Sequence, residues 1–251
     1  MSKTKSQDAH QIYGINGSIA VLESKKFNIQ SIDILENGIA SKNQQIRELL
    51  KKHSVTINHI PQETFRRKYE KKHTQGIVIT FIGSIEKDLP QLNSIEGNFC
   101  LLIIDNITDP QNLGQIIRTA ECGGIDGIII PNRNSVGTTD TVLQVSQGAF
   151  CNIPIYTVTN LHQIIMQLKE EDFWTVALEN SIDAKPWYDI DYKGKIAIIV
   201  GSEGYGIKPI VLKSCDFQAT IPMRGKTNSL NVSASVSAIV FERLRQINSK
   251  S

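Results

Sequence analysis

Three stretches of the chain combine glycines with polar side chains that could hold a ligand and its charge. The first is Asp105-Asn-Ile-Thr-Asp-Pro-Gln-Asn-Leu-Gly-Gln-Ile-Ile-Arg-Thr-Ala120, the second Gly201-Ser-Glu-Gly-Tyr-Gly206, the third Pro222-Met-Arg-Gly-Lys-Thr-Asn-Ser-Leu-Asn-Val-Ser233. They supply amides, a guanidinium, a carboxylate and a hydroxyl. Two phosphate-binding readings fail. The second stretch is not GxGxxG and sits late in the chain. Gly225-Lys226-Thr227 ends like a P-loop, but that loop needs a glycine five positions before Gly225, where Thr220 stands. The four cysteines (Cys100, Cys122, Cys151, Cys215) are widely spaced and form no CxxC, so no metal site is expected. Mostly buried free thiols in a reducing, cytoplasmic setting are the expectation.

Each stretch follows an apolar run with the character of a strand. Strands are expected at residues 99–105, 127–131, 153–158, 174–178, 195–200 and 217–221. Helical spacing recurs at 113–122, 139–147, 161–170, 208–213 and 232–246. Alternating strand and helix with continuous apolar strands implies an α/β fold with a parallel sheet covered on both faces. Ligands in such sheets bind beyond the carboxyl ends of the strands, where the three stretches lie.

The 251 residues suffice for one large or two small domains. Net charge is only +2, yet it is uneven: residues 1–90 hold fourteen Lys and Arg against nine Asp and Glu, and the remainder thirteen against sixteen. The basic excess gathers at Lys51-Lys52, Arg66-Arg67-Lys68 and Lys71-Lys72. Such clusters fit either a solvated face or phosphate contact. A strand is expected at 76–82, another at 31–35 and a helix at 43–52, which makes the first part a small α/β unit suited to binding. Pro90 and Gly97 punctuate a linker at 89–97, dividing the chain into domains 1–88 and 98–251. No apolar run approaches the ~20 residues that span a bilayer, so no membrane partner is expected.

Taken together, DPxNxGxxxRTA, GxEGxG and IPMxGxxxSLNVSxA, in that order, resemble the three motifs of the SpoU/TrmH family of ribose 2′-O-methyltransferases, of the SPOUT class. Gly14-Ile-Asn-Gly-Ser-Ile-Ala-Val-Leu22 and His73-Thr-Gln-Gly-Ile-Val78 resemble the substrate-binding domain of its RlmB-like subgroup. The resemblance implies a C-terminal trefoil-knot domain with a mostly parallel sheet, an N-terminal L30e-like RNA-binding domain, S-adenosylmethionine as methyl donor and a homodimer. It implies methylation of a guanosine ribose in 23S ribosomal RNA. The alternatives are a transfer-RNA enzyme of the same family and a structured-RNA-binding protein without chemistry.

The same resemblance implies the site residues. Arg118, Asn112, Glu203, Ser229 and Asn231 match catalytic positions; Gly201, Ile221 and Leu230 match cofactor contacts, with Met223 and Gly225 shaping the same loop. Beside these roles stand plainer ones. Asn112, Ser229 and Asn231 are ordinary helix N-caps, Gly114 could admit a ligand to the backbone, and Glu203 needs a cationic partner, for which Arg118 is the natural choice. A guanidinium has no lone pair, so Arg118 is better suited to stabilising negative charge than to acting as a base.

Overall fold

A computed structural model describes residues 9–70, 72–181, 184–202 and 204–249. The chain divides into two compact units, Met1–Ile85 with Ser146–Asn152, and Glu86–Val145 with Ile153–Ser251.

The first unit runs β1 (Ala9–Tyr13), α1 (Ile15–Glu23), β2 (Asn28–Leu35), α2 (Ile39–Lys42), α3 (Gln44–Leu50), β3 (Ile57–Ile60), α4 (Gln62–Lys68) and β4 (Ile77–Ile82). Its sheet has the order β1-β4-β2-β3, with β4 antiparallel to both neighbours and β3 parallel to β2. The two N-terminal motifs meet here. Gly14, at φ +84°, donates its N–H to the Thr74 carbonyl, and the Gln75 side chain accepts the Ile15 N–H at 2.8 Å. Gln75 thus supplies a cap that Gly14, lacking a side chain, cannot.

The second unit contains β5 (Glu86–Lys87), β6 (Phe99–Asp105), α5 (Pro110–Cys122), β7 (Gly127–Pro131), α6 (Asp140–Val145), β8 (Ile155–Val158), α7 (Leu161–Glu170), β9 (Trp174–Leu178), β10 (Lys185–Pro186), β11 (Lys195–Gly201), α8 (Pro209–Ser214), β12 (Phe217–Thr220) and α9 (Val232–Asn248). Among the described residues its eight strands are ordered β10-β12-β9-β11-β6-β7-β8-β5, with every pairing parallel. The order reverses at β6, with β7 and β8 to one side and β11, β9 and β12 to the other. Such a reversal places a crevice at the carboxyl ends of the strands. Residues 100–104 and 196–199 are buried throughout, as strands covered on both faces must be. One face packs Leu101, Ile103, Ala197 and Ile199 against Leu161, Ile165 and Leu168 of α7. Each buried aliphatic side chain contributes about 1.5–3 kcal/mol. Leu92 lies in this core with Leu89 and Ile95 against it, so the segment between Pro90 and Gly97 is packed onto the second unit.

Candidate functional site

The carboxyl ends of β9, β11 and β12 open into a cavity of about 350 Å³. Leu178, Val200, Ile221 and Leu230 give it apolar walls, and Glu179, Ser202, Thr220, Asn228 and Ser229 give it polar groups. The loop after β11 closes on itself. The Gly206 N–H donates to the Ser202 carbonyl at 2.9 Å, and Gly206 adopts φ +62°. A Cβ on Gly201 would lie 2.2–2.4 Å from Gly206 C and O and Ile207 N. Gly201 is therefore required for the loop to fold back along the strand end.

Asp105, fully buried at the end of β6, fixes this loop to the first motif. It accepts the Lys208 backbone N–H at 2.9 Å and the Lys208 ammonium at 3.0 Å. The chain then turns at Asn106 (φ +68°), and the Ile107 carbonyl takes the Val136 N–H. Helix α5 starts with Pro110 at its first position and the Asp109 carboxylate accepting the Gln111 N–H. The capping role expected of Asn112 therefore belongs to Asp109, three residues earlier. That frees the Asn112 amide for another helix: its Oδ1 accepts from Asn231 Nδ2 at 2.9 Å. Asn231 does cap, its Oδ1 accepting the Ser233 and Ala234 N–H groups at the start of α9.

Two further polar contacts continue between α5 and α9, Ser233 Oγ to Gln115 Oε1 at 2.9 Å and Thr119 with Ser237 at 3.3 Å. Farther along, a Cβ on Gly123 would fall 2.0 Å from Val240, so the helices approach closely. Gly114 proves to be a packing residue too: a Cβ there would meet Val145 of α6 at 2.5 Å, which leaves no room for a ligand.

The cavity wall includes four of the five positions expected to hold a cofactor, Gly201, Ile221, Met223 and Leu230, together with Ser229. Gly225 is exposed and outside the wall. Asn112 and Asn231 meet each other, and α9 continues from Asn231 into Val232 and Ser235 on the wall. Arg118 is exposed, does not line the cavity, and meets no described residue through a hydrogen bond or ion pair. Glu203 lies outside the described residues.

The motifs alone did not identify Glu179, Asn180 or Tyr205. Glu179 and Asn180 follow β9, and the rule that sheet ligands sit at strand ends applies to that strand as well. The Glu179 carboxylate faces Gly206 across the cavity, 3.2 Å from where a Cβ there would stand. Tyr205 is 91% exposed at the rim. Among the described residues no cluster of His, Cys, Asp or Glu could hold a metal, and no helix is long and apolar enough to cross a membrane. The cysteines are free; burial pushes the thiols of Cys100, Cys151 and Cys215 up to about 12, which disfavours their thiolate forms, while Cys122 is exposed.

A cavity of this size fits a nucleoside-sized molecule. Apolar side chains could enclose a heterocycle, and Glu179 and the loop backbone could bind hydroxyl and ammonium groups. These residues fit S-adenosylmethionine.

Comparison with known proteins agrees with this picture. The model of the SpoU rRNA methylase family matches residues 100–241. YacO of Bacillus subtilis, whose name places it among TrmH-family tRNA/rRNA methyltransferases, is 34% identical over 97% of this chain and 98% of its own length. The 23S rRNA (guanosine-2′-O-)-methyltransferase RlmB of Shewanella oneidensis is 34% identical over 96% of this chain and 98% of its own. In fold, the chain is similar to the SpoU methyltransferase AviRb of Streptomyces viridochromogenes in complex with AdoMet, with a TM-score of 0.77 at 21% identity, covering 96% of this chain and 92% of that one.

Proposed function

The chain belongs to the SpoU rRNA methylase family and is an S-adenosylmethionine-dependent RNA methyltransferase, and from that premise we propose that it methylates the ribose 2′-hydroxyl of a guanosine in 23S ribosomal RNA. The observation that carries this reading is the meeting of the second and third motif loops at one cavity, to which the Asn112–Asn231 bond ties the first motif. When bound, S-adenosylmethionine supplies an activated methyl group on a sulfonium.

The chain's own residues position the acceptor and hold charge. Gly201, Ile221, Leu230 and Met223 form the cofactor wall, and Gly225 gives the third loop its reach. Asn112, Asn231 and Ser229 orient the substrate ribose at the cavity edge. Arg118 enters that edge from the exposed surface of α5 when RNA is bound. Its guanidinium stabilises negative charge on the 2′-oxygen or clamps the adjacent phosphate. Glu203 orients Arg118. The protein acts as a cytoplasmic homodimer, and its first unit holds the RNA fold.

A transfer-RNA substrate is the second reading, favoured by the tRNA/rRNA wording of YacO's name. Incubating the purified protein with methyl-tritiated S-adenosylmethionine and transcripts of 23S rRNA or transfer RNA separates the two. Label recovered as 2′-O-methylguanosine from 23S rRNA supports the first reading, and label confined to transfer RNA supports the second.

A further inference from the structure

The first unit has a cavity of its own, of about 460 Å³, which no residue proposed for methyl transfer lines. Its floor is aromatic. Phe65 and Tyr69 are buried with ring centroids 4.9 Å apart. Tyr69 cannot swing away, because its hydroxyl donates to Asp33, a buried carboxylate that also accepts from Asn58 at 2.7 Å and from Lys68. The rim is cationic. Arg66 is exposed and engages no other described residue. Lys72 stands 5.5 Å from the Tyr13 ring and 6.0 Å from that of Tyr69, steadied by Gln11 at 3.1 Å. Glu70 places one acceptor on the wall.

An anchored aromatic floor under a cationic rim, with polar groups of Gln62, Glu70 and Thr74 on the wall, suits an unpaired nucleotide. Proteins take splayed RNA bases on aromatic surfaces and meet the neighbouring phosphates with Arg and Lys. We propose that this cavity receives one unpaired nucleotide of the substrate RNA, its base against Phe65 and Tyr69 and a flanking phosphate on Arg66 and Lys72. The inference rests on the reading of the chain as an RNA methyltransferase and assigns the place where its first unit grips the substrate.

The test uses the full chain and transcribed 23S rRNA, in filter binding across a range of KCl concentrations. R66A/K72A removes the rim charges. Q62W fills the cavity from its exposed edge without altering charge. K51A/K52A removes two lysines of the same unit that do not line the cavity. R66A/K72A should weaken binding by about tenfold or more and reduce the salt slope by about two. Q62W should weaken binding to a similar degree at unchanged slope, and K51A/K52A should stay within about twofold of wild type. S-adenosylmethionine affinity by calorimetry should be unchanged throughout. Wild-type binding by Q62W, or equal losses in K51A/K52A and R66A/K72A, would overturn the proposal. So would competition by free GMP as effective as that of RNA. If the wild-type protein binds RNA yet methylates none, the proposed reaction falls, while the three variants still decide the cavity's role.

Discussion

Asn231 carries two bonds with separate consequences. Its oxygen caps α9 and its nitrogen reaches Asn112. Asn231→Ala loses both and should cost about 1–2 kcal/mol in chemical denaturation together with most of the activity. Asn231→Asp keeps the cap, so its melting temperature should match wild type while turnover falls. Parallel losses of stability and activity in both variants would show that the residue only caps. Arg118 permits a cleaner test, because it is exposed and unpaired among the described residues. Arg118→Lys should fold normally and lose roughly 100-fold or more in turnover, the scale of one transition-state donor. Full turnover in that variant would remove guanidinium-specific chemistry from the mechanism. At Gly201 the constraint is backbone contact. Gly201→Ala forces the loop off Gly206 and Ile207 and should abolish cofactor binding in calorimetry; unchanged affinity would place the pocket elsewhere.

Between elements, Asp216 works as a clamp. It binds Lys169 of α7 at 2.6 Å and Thr175 of β9 through both hydroxyl and N–H. Burial alone would raise its carboxyl, but the bonds from Lys169 and Thr175 hold it below the usual range. A depressed folded-state value means that the clamp stabilises the fold fully above the unfolded pKa of about 3.9, and that this stability is lost as pH falls through the folded value. Asp216→Asn should therefore lower stability at neutral pH by about 1–3 kcal/mol, with the gap to wild type narrowing below about pH 4 in thermal melts. A gap independent of pH would assign the effect to packing.

Most elements of the second unit were legible in the sequence because strands buried on both faces leave continuous apolar runs; the six expected strands appear within a few residues of those runs, whereas the two-residue edge strands β5 and β10 leave no such run and were missed. The first unit was less so. Helix α1 contains Gly17 and is capped from sixty residues away by Gln75, and α4 carries only one buried side chain, Phe65. Neither pattern shows helical periodicity. Within the site, the motifs marked most of the cavity wall but could not assign partners. Whether Asn112 caps its helix or reaches another depends on Asp109 winning the cap, and whether Gly114 faces a ligand depends on where α6 packs.

For the whole molecule, the modest net charge of +2 conceals a division of labour. The basic first unit presents cations around an aromatic cavity, and the second unit gathers its motif loops at one end of a parallel sheet. The most direct test of the account maps ribose methylation across ribosomal and transfer RNA in cells lacking the protein, and again after return of the wild-type or Arg118→Ala form. The account predicts one 2′-O-methyl group missing from a guanosine of 23S rRNA, restored by the wild type and not by the variant. An unchanged map at every ribose would contradict it.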